Sequence, residues 1–332
     1  MNVAYTSKAA TNAIAARAVR EAGRVDDAPL VAINDALEPV STKLWQRGKL
    51  TRNELRPIFN ELASLLRAKE NVSDLHTGVM SNSRVRRLSA NESCRLRFIQ
   101  TVESTVSQVD SDEIIERVLA FAAQDLQLSR HALRVRVNMT GFHVHPHVLS
   151  RYMLRMQKPH RDLLKNIMRP MYVSAILGHA IGDGGIMLPV HGGILLGRVT
   201  PMITTEIWPK VTVYDKNGPS DFEGDDEEKP ADNDDDVEQI VTNIGVKTFI
   251  DTESLGNMKA ALRAQIVAWE AEHANGIRYF FDHHAYSSTL IAHDEDPEIT
   301  AQYAQNAFDA AIDLINSEAW NLVFDRGERL AK

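Results

Sequence analysis

Apolar residues in the first 130 positions recur at three- and four-residue intervals, the period of an amphipathic helix. In residues 51–69 this series is Leu55, Phe59, Leu62, Leu65 and Leu66. Thr51 with Glu54 three positions on makes a capping box at its start, and Pro57 is expected to delay the helix, since proline suits only a first turn. Residues 7–22 are Ala-rich and helical in pattern, with Gly23 as a stop. Residues 71–83 read as a polar loop. Ser89 with Glu92 is a second capping box, opening a helix to about residue 109. Ser111 or Asp112 opens another to about 126, with Ile114, Ile115, Val118, Leu119 and Ala122 on one face.

The period changes at residues 133–142, LRVRVNMTGF, which alternate as a half-buried strand does. Pro146 suits the first turn of a helix. In the segment that follows, Val148, Leu149, Tyr152, Met153 and Met156 share an apolar face, while His147, Arg151 and Arg155 line the opposite one at four-residue spacing. Residues 162–174 form a further helix interrupted at Pro170. After the turn of Gly182, Gly184 and Gly185, the stretches 186–190, 193–200, 206–214 and 245–250 predict three or four short antiparallel strands. Helix returns from 252 or 254 to 273 and again over 297–324, and 278–297 fits no single element. The expected architecture is α+β: a helical N-terminal region over 1–130, a central helix plus small antiparallel sheet over 131–251, and a C-terminal helical hairpin over 252–332.

Charge sharpens this picture. The chain carries a net −8, but residues 221–238 hold 11 acids and one Lys, so the remainder is mildly cationic. From residue 134 to 216, 11 Lys and Arg face four acids, a local +7. The acidic tract, centred in an insert at 218–240, is too charged and too poor in apolar residues to bury itself, so disorder is expected. It lacks the alternation and closing Glu of an EF-hand loop. No apolar run approaches the ~20 residues that cross a bilayer, and the N-terminus lacks the apolar core of a secretory signal. Cys94 is the single cysteine, which rules out a disulfide within the chain and fits a reducing cytoplasm. It is expected to be a small buried residue on a helix.

Seven of the 12 histidines lie between residues 131 and 191. His147, Arg151 and Arg155 on one helix face combine a proton-transfer group with two planar cations that fit phosphate oxygens. The helix N-terminus disfavours the cationic form of His147, which suits a base. His191 in H-G-G-I-L-L-G-R is a possible counterpart, with Arg198 at the far end of that strand; the glycine spacing is not that of a dinucleotide fingerprint. The same residues also fit a solvated cationic helix face and a turn histidine without chemistry. His143, His145 and His147, spaced H-x-H-x-H, suggest zinc or iron instead, although Pro146 should end the strand before the third ligand. Asp282, His283, His284 and His293 are more distant candidates for further ligands.

A helix carrying H-x-x-x-R-Y-x-x-R, followed by short strands and a last one ending V-K-T-F-I (246–250), resembles the ribonuclease-like domains of the barnase, colicin and RelE-type toxin group. The resemblance spans about 120 residues of the centre. It implies a helix packed on an antiparallel sheet and RNA cleavage without a metal or other cofactor. His147, Arg151 and Arg155 would act from the helix and Arg198 and Thr248 from the strands. The resulting expectation is a cytoplasmic, RNA-binding, toxin-like endoribonuclease, with RNA or another polyanion as partner and possible homo-oligomerisation. Two alternatives stay open. One is a metal-dependent hydrolase or oxygenase built on the histidine cluster. The other is a non-enzymatic oligomeric assembly or binding protein.

Overall fold

The computed structural model describes residues 5, 7–22, 31–69, 72–80, 93–107, 115–204, 210–221, 239–286 and 297–329. Three helices come first: α1 (Lys8–Glu21), α2 (Val31–Arg47) and α3 (Arg52–Ala68). The capping box of α3 forms, with the Glu54 carboxylate accepting from the Thr51 backbone N–H at 2.9 Å. The helix starts there, ahead of Pro57, which sits inside it. Four strands follow: β1 (Val72–Met80), β2 (Ser93–Ser107), β3 (Ile115–Leu128) and β4 (Leu133–Val144). Next come α4 (Pro146–Met156), α5 (His160–Lys165) and α6 (Met168–Ile181), then β5 (Gly184–Val190), β6 (Gly193–Thr204), β7 (Lys210–Asp215), β8 (Gly218–Asp221) and β9 (Gln239–Asp251). The chain closes with α7 (Asn257–Glu272), α8 (Ala274–Tyr286), α9 (Pro297–Ile315) and α10 (Glu318–Arg329).

The described strands form one nine-stranded mixed sheet in the order β1-β2-β3-β4-β9-β6-β5, with β7 beside the first half of β4 and β8 beside β7. This corrects the expected small antiparallel sheet and the wholly helical N-terminal region. The sheet is large, it lies in the middle of the molecule, and β4 and β9 run parallel over 142–144 and 244–246. The helices expected at 89–109 and 111–126 are β2 and β3. The two strands pair antiparallel over Cys94–Ser107 and Ile115–Leu128. Residues 72–80, expected as loop, are the edge strand β1. Most of the acidic insert, the Ser89–Glu92 capping box and His293 lie outside the described residues. The α+β class itself holds. No described helix is long and apolar enough to cross a membrane.

Helices cover both faces. α2 and α3 bury Leu44, Leu55, Phe59 and Leu62 against Leu96, Phe98, Ala122, Val135 and Val137. Cys94 is buried here, on a strand. The opposite face meets α1, α4, α6 and α8 in a larger core containing Phe121, Phe142, Val144, Tyr152 and Phe249, against which α7, α9 and α10 also pack. β4 changes partners midway, pairing β7 over Leu133–Val137 and β9 over Phe142–Val144. Gly141 sits at the changeover with φ +70, and a Cβ there would lie 2.2 Å from the Thr242 carbonyl oxygen, so only glycine fits.

Candidate active site

The alternation of β4 sets the site. Phe142 and Val144 enter the larger core, so His143 points to the other face, where it pairs with Ala120 of β3 and Gly245 of β9. A Cβ on Gly245 would stand 2.8 Å from the His143 Nε2, so the ring takes the space that glycine leaves. His143 is buried. Its pKa falls to about 4 because burial disfavours the cation, with the neighbouring His145 acting in the same direction.

His145 follows at the N-cap of α4. Its N–H donates to the Val246 carbonyl at 3.1 Å, which extends the β4–β9 pairing one step past the strand. β3 overshoots the end of β4: Leu119 pairs with Val144, and Glu116, three residues earlier, lies beyond it. The Glu116 carboxylate therefore reaches the buried His145, with Oε2 2.9 Å from Nδ1. Pro146 begins α4 and places the exposed His147 in its first turn. The His147 pKa is lowered, by desolvation first and by His145 second. The three histidine rings run in sequence, with centroids 5.3 Å apart from His143 to His145 and 5.9 Å from His145 to His147.

One ligating atom each from Glu116, His145 and His147 all lie within 4.8 Å of one another. Two imidazoles and a carboxylate suit zinc or another first-row divalent ion, and three protein ligands leave a position open. Bonds of about 2.0–2.1 Å in tetrahedral geometry set neighbouring donors roughly 3.3 Å apart. Glu116 and His145 stand at 2.9 Å, a little inside that spacing, and the exposed His147 would adjust by a side-chain movement. His143 is not part of this group, so its place in the expected H-x-H-x-H set is taken by Glu116.

The remaining sequence candidates divide. Arg151, one turn along α4, donates from Nη1 to the Thr248 hydroxyl on β9, so these two come together. Arg155 is taken up by Asp251 and Ser254, at 2.7 Å each. Arg198 pairs with Gly245 across β6 and β9, in the same cross-strand row as His143, and its guanidinium contacts Asp183 at 3.3 Å. His191 lies in the β5–β6 turn, two residues before Gly193, which pairs with Asp251. That is five residues along β9 from Val246, about 16 Å at ~3.3 Å per residue, so it is not the counterpart of His147. His283 and His284 sit on α8 beside His179 of α6, apart from this site.

Two residues of the site escaped the sequence reading. Glu116 falls in a stretch taken as helix. Lys247, exposed on β9 one residue past Val246, lies close enough to His143 and His147 to lower the pKa of both. No protein-family model, no curated protein and no solved structure matches this chain. The fold and site therefore define a class only: a mixed-sheet α+β protein with a histidine–carboxylate centre at a strand end.

Proposed function

We propose that the chain is a metal-dependent hydrolase, with Glu116, His145 and His147 as the protein ligands of a divalent ion. The observation that carries this reading is the convergence of those three donors within 4.8 Å at the mouth of β4. A divalent ion held there would supply Lewis acidity. The protein contributes the rest. Desolvation first and His145 second lower the His147 pKa, which favours the neutral imidazole that a metal requires. His143 lies behind His145, with ring centroids 5.3 Å apart. The test is metal analysis of purified chain beside Glu116→Gln and His147→Ala, with hydrolysis assayed before and after EDTA. Stoichiometric zinc, manganese or iron that falls in both variants, and activity that EDTA removes, are the expected results. Full activity after chelation would refute the reading.

A second reading, the metal-independent endoribonuclease implied by the resemblance, is favoured by one contact. The Glu116–His145 hydrogen bond beside His147, whose pKa is lowered by desolvation, provides two proton-transfer groups, with Arg151 near enough to carry phosphate charge. RNA cleavage that survives EDTA and is lost in His147→Ala would select it.

A further inference from the structure

The charge around the site is lopsided. Glu116 is the carboxylate of the candidate metal group, while Arg151 lies one turn along α4 from His147, and Lys247 follows Val246, whose carbonyl accepts from the His145 N–H. The arginines on either side are occupied, Arg155 by Asp251 and Arg198 by Asp183. Among the described residues, neither Arg151 nor Lys247 has a carboxylate within ion-pair distance; the partner of Arg151 is the neutral Thr248 hydroxyl. That contact engages Nη1 and leaves the other guanidinium donors available, so the fork is steadied without being neutralised. The N-terminus of α4 adds to the same potential. No side chain caps the N-terminus of α4, so the positive end of its dipole is left unneutralised beside His147. A divalent ion would raise the local positive charge further.

We propose that the substrate is a phosphate ester whose phosphoryl oxygens are held between Arg151 and Lys247, with the scissile P–O bond beside Glu116, His145 and His147. A guanidinium fork and an ammonium presented beside an anion-favouring helix end match a tetrahedral, multiply charged oxyanion better than a neutral amide or sugar. The reaction is hydrolysis. The oxygen of water bonds to phosphorus and the ester P–O bond breaks. The leaving oxygen takes one of the water's protons to become an alcohol, and the other proton stays with the phosphate or passes to solvent. The inference rests on the site being the reaction centre, but its test does not require a metal.

The full chain, freed of metal with EDTA and dialysed, is titrated with inorganic phosphate at low salt by calorimetry, beside Arg151→Ala and Lys247→Gln. Zinc binding by the same proteins is measured separately. Losing a charge-assisted contact is expected to weaken phosphate binding about tenfold in each variant, with zinc stoichiometry unchanged. Lys247 is an exposed strand position, so its variant remains informative if Arg151→Ala folds poorly. Phosphate binding equal to wild type in Lys247→Gln, or acetate bound as tightly as phosphate, would overturn the proposal. Phosphate binding that depends on Lys247 in a chain that takes up no zinc supports it while removing the metal reading.

Discussion

His143 makes a quantitative prediction about acid stability. The ring is buried, hydrogen-bonded to Asn243, and faced by His145 and Lys247, so it stays neutral down to about pH 4 when folded. In the unfolded chain it should titrate near the ordinary histidine value of about 6.5. The folded pKa is the lower one, so the unfolded state binds the extra proton first. The stability is therefore fully present above about pH 6.5, is lost as pH falls from there, and stops changing below the folded value near 4. With those two values the loss attributable to His143 is about 2 kcal/mol between pH 7 and 5 and about 3 kcal/mol by pH 4. Other groups titrate in the same window, including His147 and His284, whose pKa values are also lowered by desolvation first. The assay is therefore a comparison: urea unfolding of wild type and His143→Gln, followed by circular dichroism at pH 7, 6, 5 and 4.5. The wild type should be the more stable at pH 7, and its advantage should shrink by about 2 kcal/mol on going to pH 5. An advantage that stays constant across that range would refute the buried neutral imidazole.

Three further outcomes follow from the packing. Arg278 joins Asp74 and the buried Asp282 at 3.0 Å each and takes in the Tyr172 hydroxyl at 2.6 Å; Arg278→Leu should cost about 3 kcal/mol in urea unfolding at pH 7. That deficit should narrow on acidification, because burial already raises the Asp282 pKa and protonation removes its stranded charge. Gly141→Ala, with a Cβ 2.2 Å from a backbone oxygen at positive φ, should lower the unfolding midpoint by the equivalent of about 2 kcal/mol or more. Zinc at about 100 times its Kd should stabilise the wild type by about 2.7 kcal/mol in thermal unfolding. His147→Ala should abolish that gain and leave the metal-free protein almost unchanged, since the side chain is exposed.

Parts of this were legible in the sequence. The capping box of α3, the alternation of β4 and the proline-led start of α4 each have a local physical signature, and each appears where expected. β3 has none. It is central and buried on both faces, sending Leu119, Phe121 and Ala123 to one core and Ala120, Ala122 and Leu126 to the other. A continuous apolar run of that kind fits a helix face as well as a doubly covered strand. β1 failed for the opposite reason. As an edge strand it carries Ser73, Asp74, His76 and Thr77, the polar residues that guard an edge, and a bulge between Ser73 and His76 breaks its register. With β1, β2 and β3 misread, the sheet was bound to look small. The site suffered accordingly: the helix face of His147, Arg151 and Arg155 could be read from spacing, whereas Glu116 could not, since its partnership with His145 exists only through the β3–β4 pairing.

The location of the site follows from how β4 ends. Its neighbours are both longer at this point: β3 begins at Ile115, beyond the last β4 pair, and β9 runs on to Asp251. A strand that stops between two longer ones leaves a notch whose walls are backbone already fixed by pairing with other strands. Glu116 stands on one wall and Lys247 on the other, and the histidines come from the stopped strand and the helix that leaves it. The parallel pairing of β4 and β9 matters here, because a parallel neighbour cannot be reached by a tight turn. The chain leaves β4 into α4 instead, which turns the positive end of that helix toward the notch. Gly245 completes the arrangement: the missing side chain admits the His143 ring, and the Ala120 methyl on the other side is small enough to leave it there. Residues more than 100 positions apart thus meet at a place chosen by strand lengths, with Gly141 where the Thr242 carbonyl leaves no room for a Cβ and Gly245 where the His143 ring leaves none.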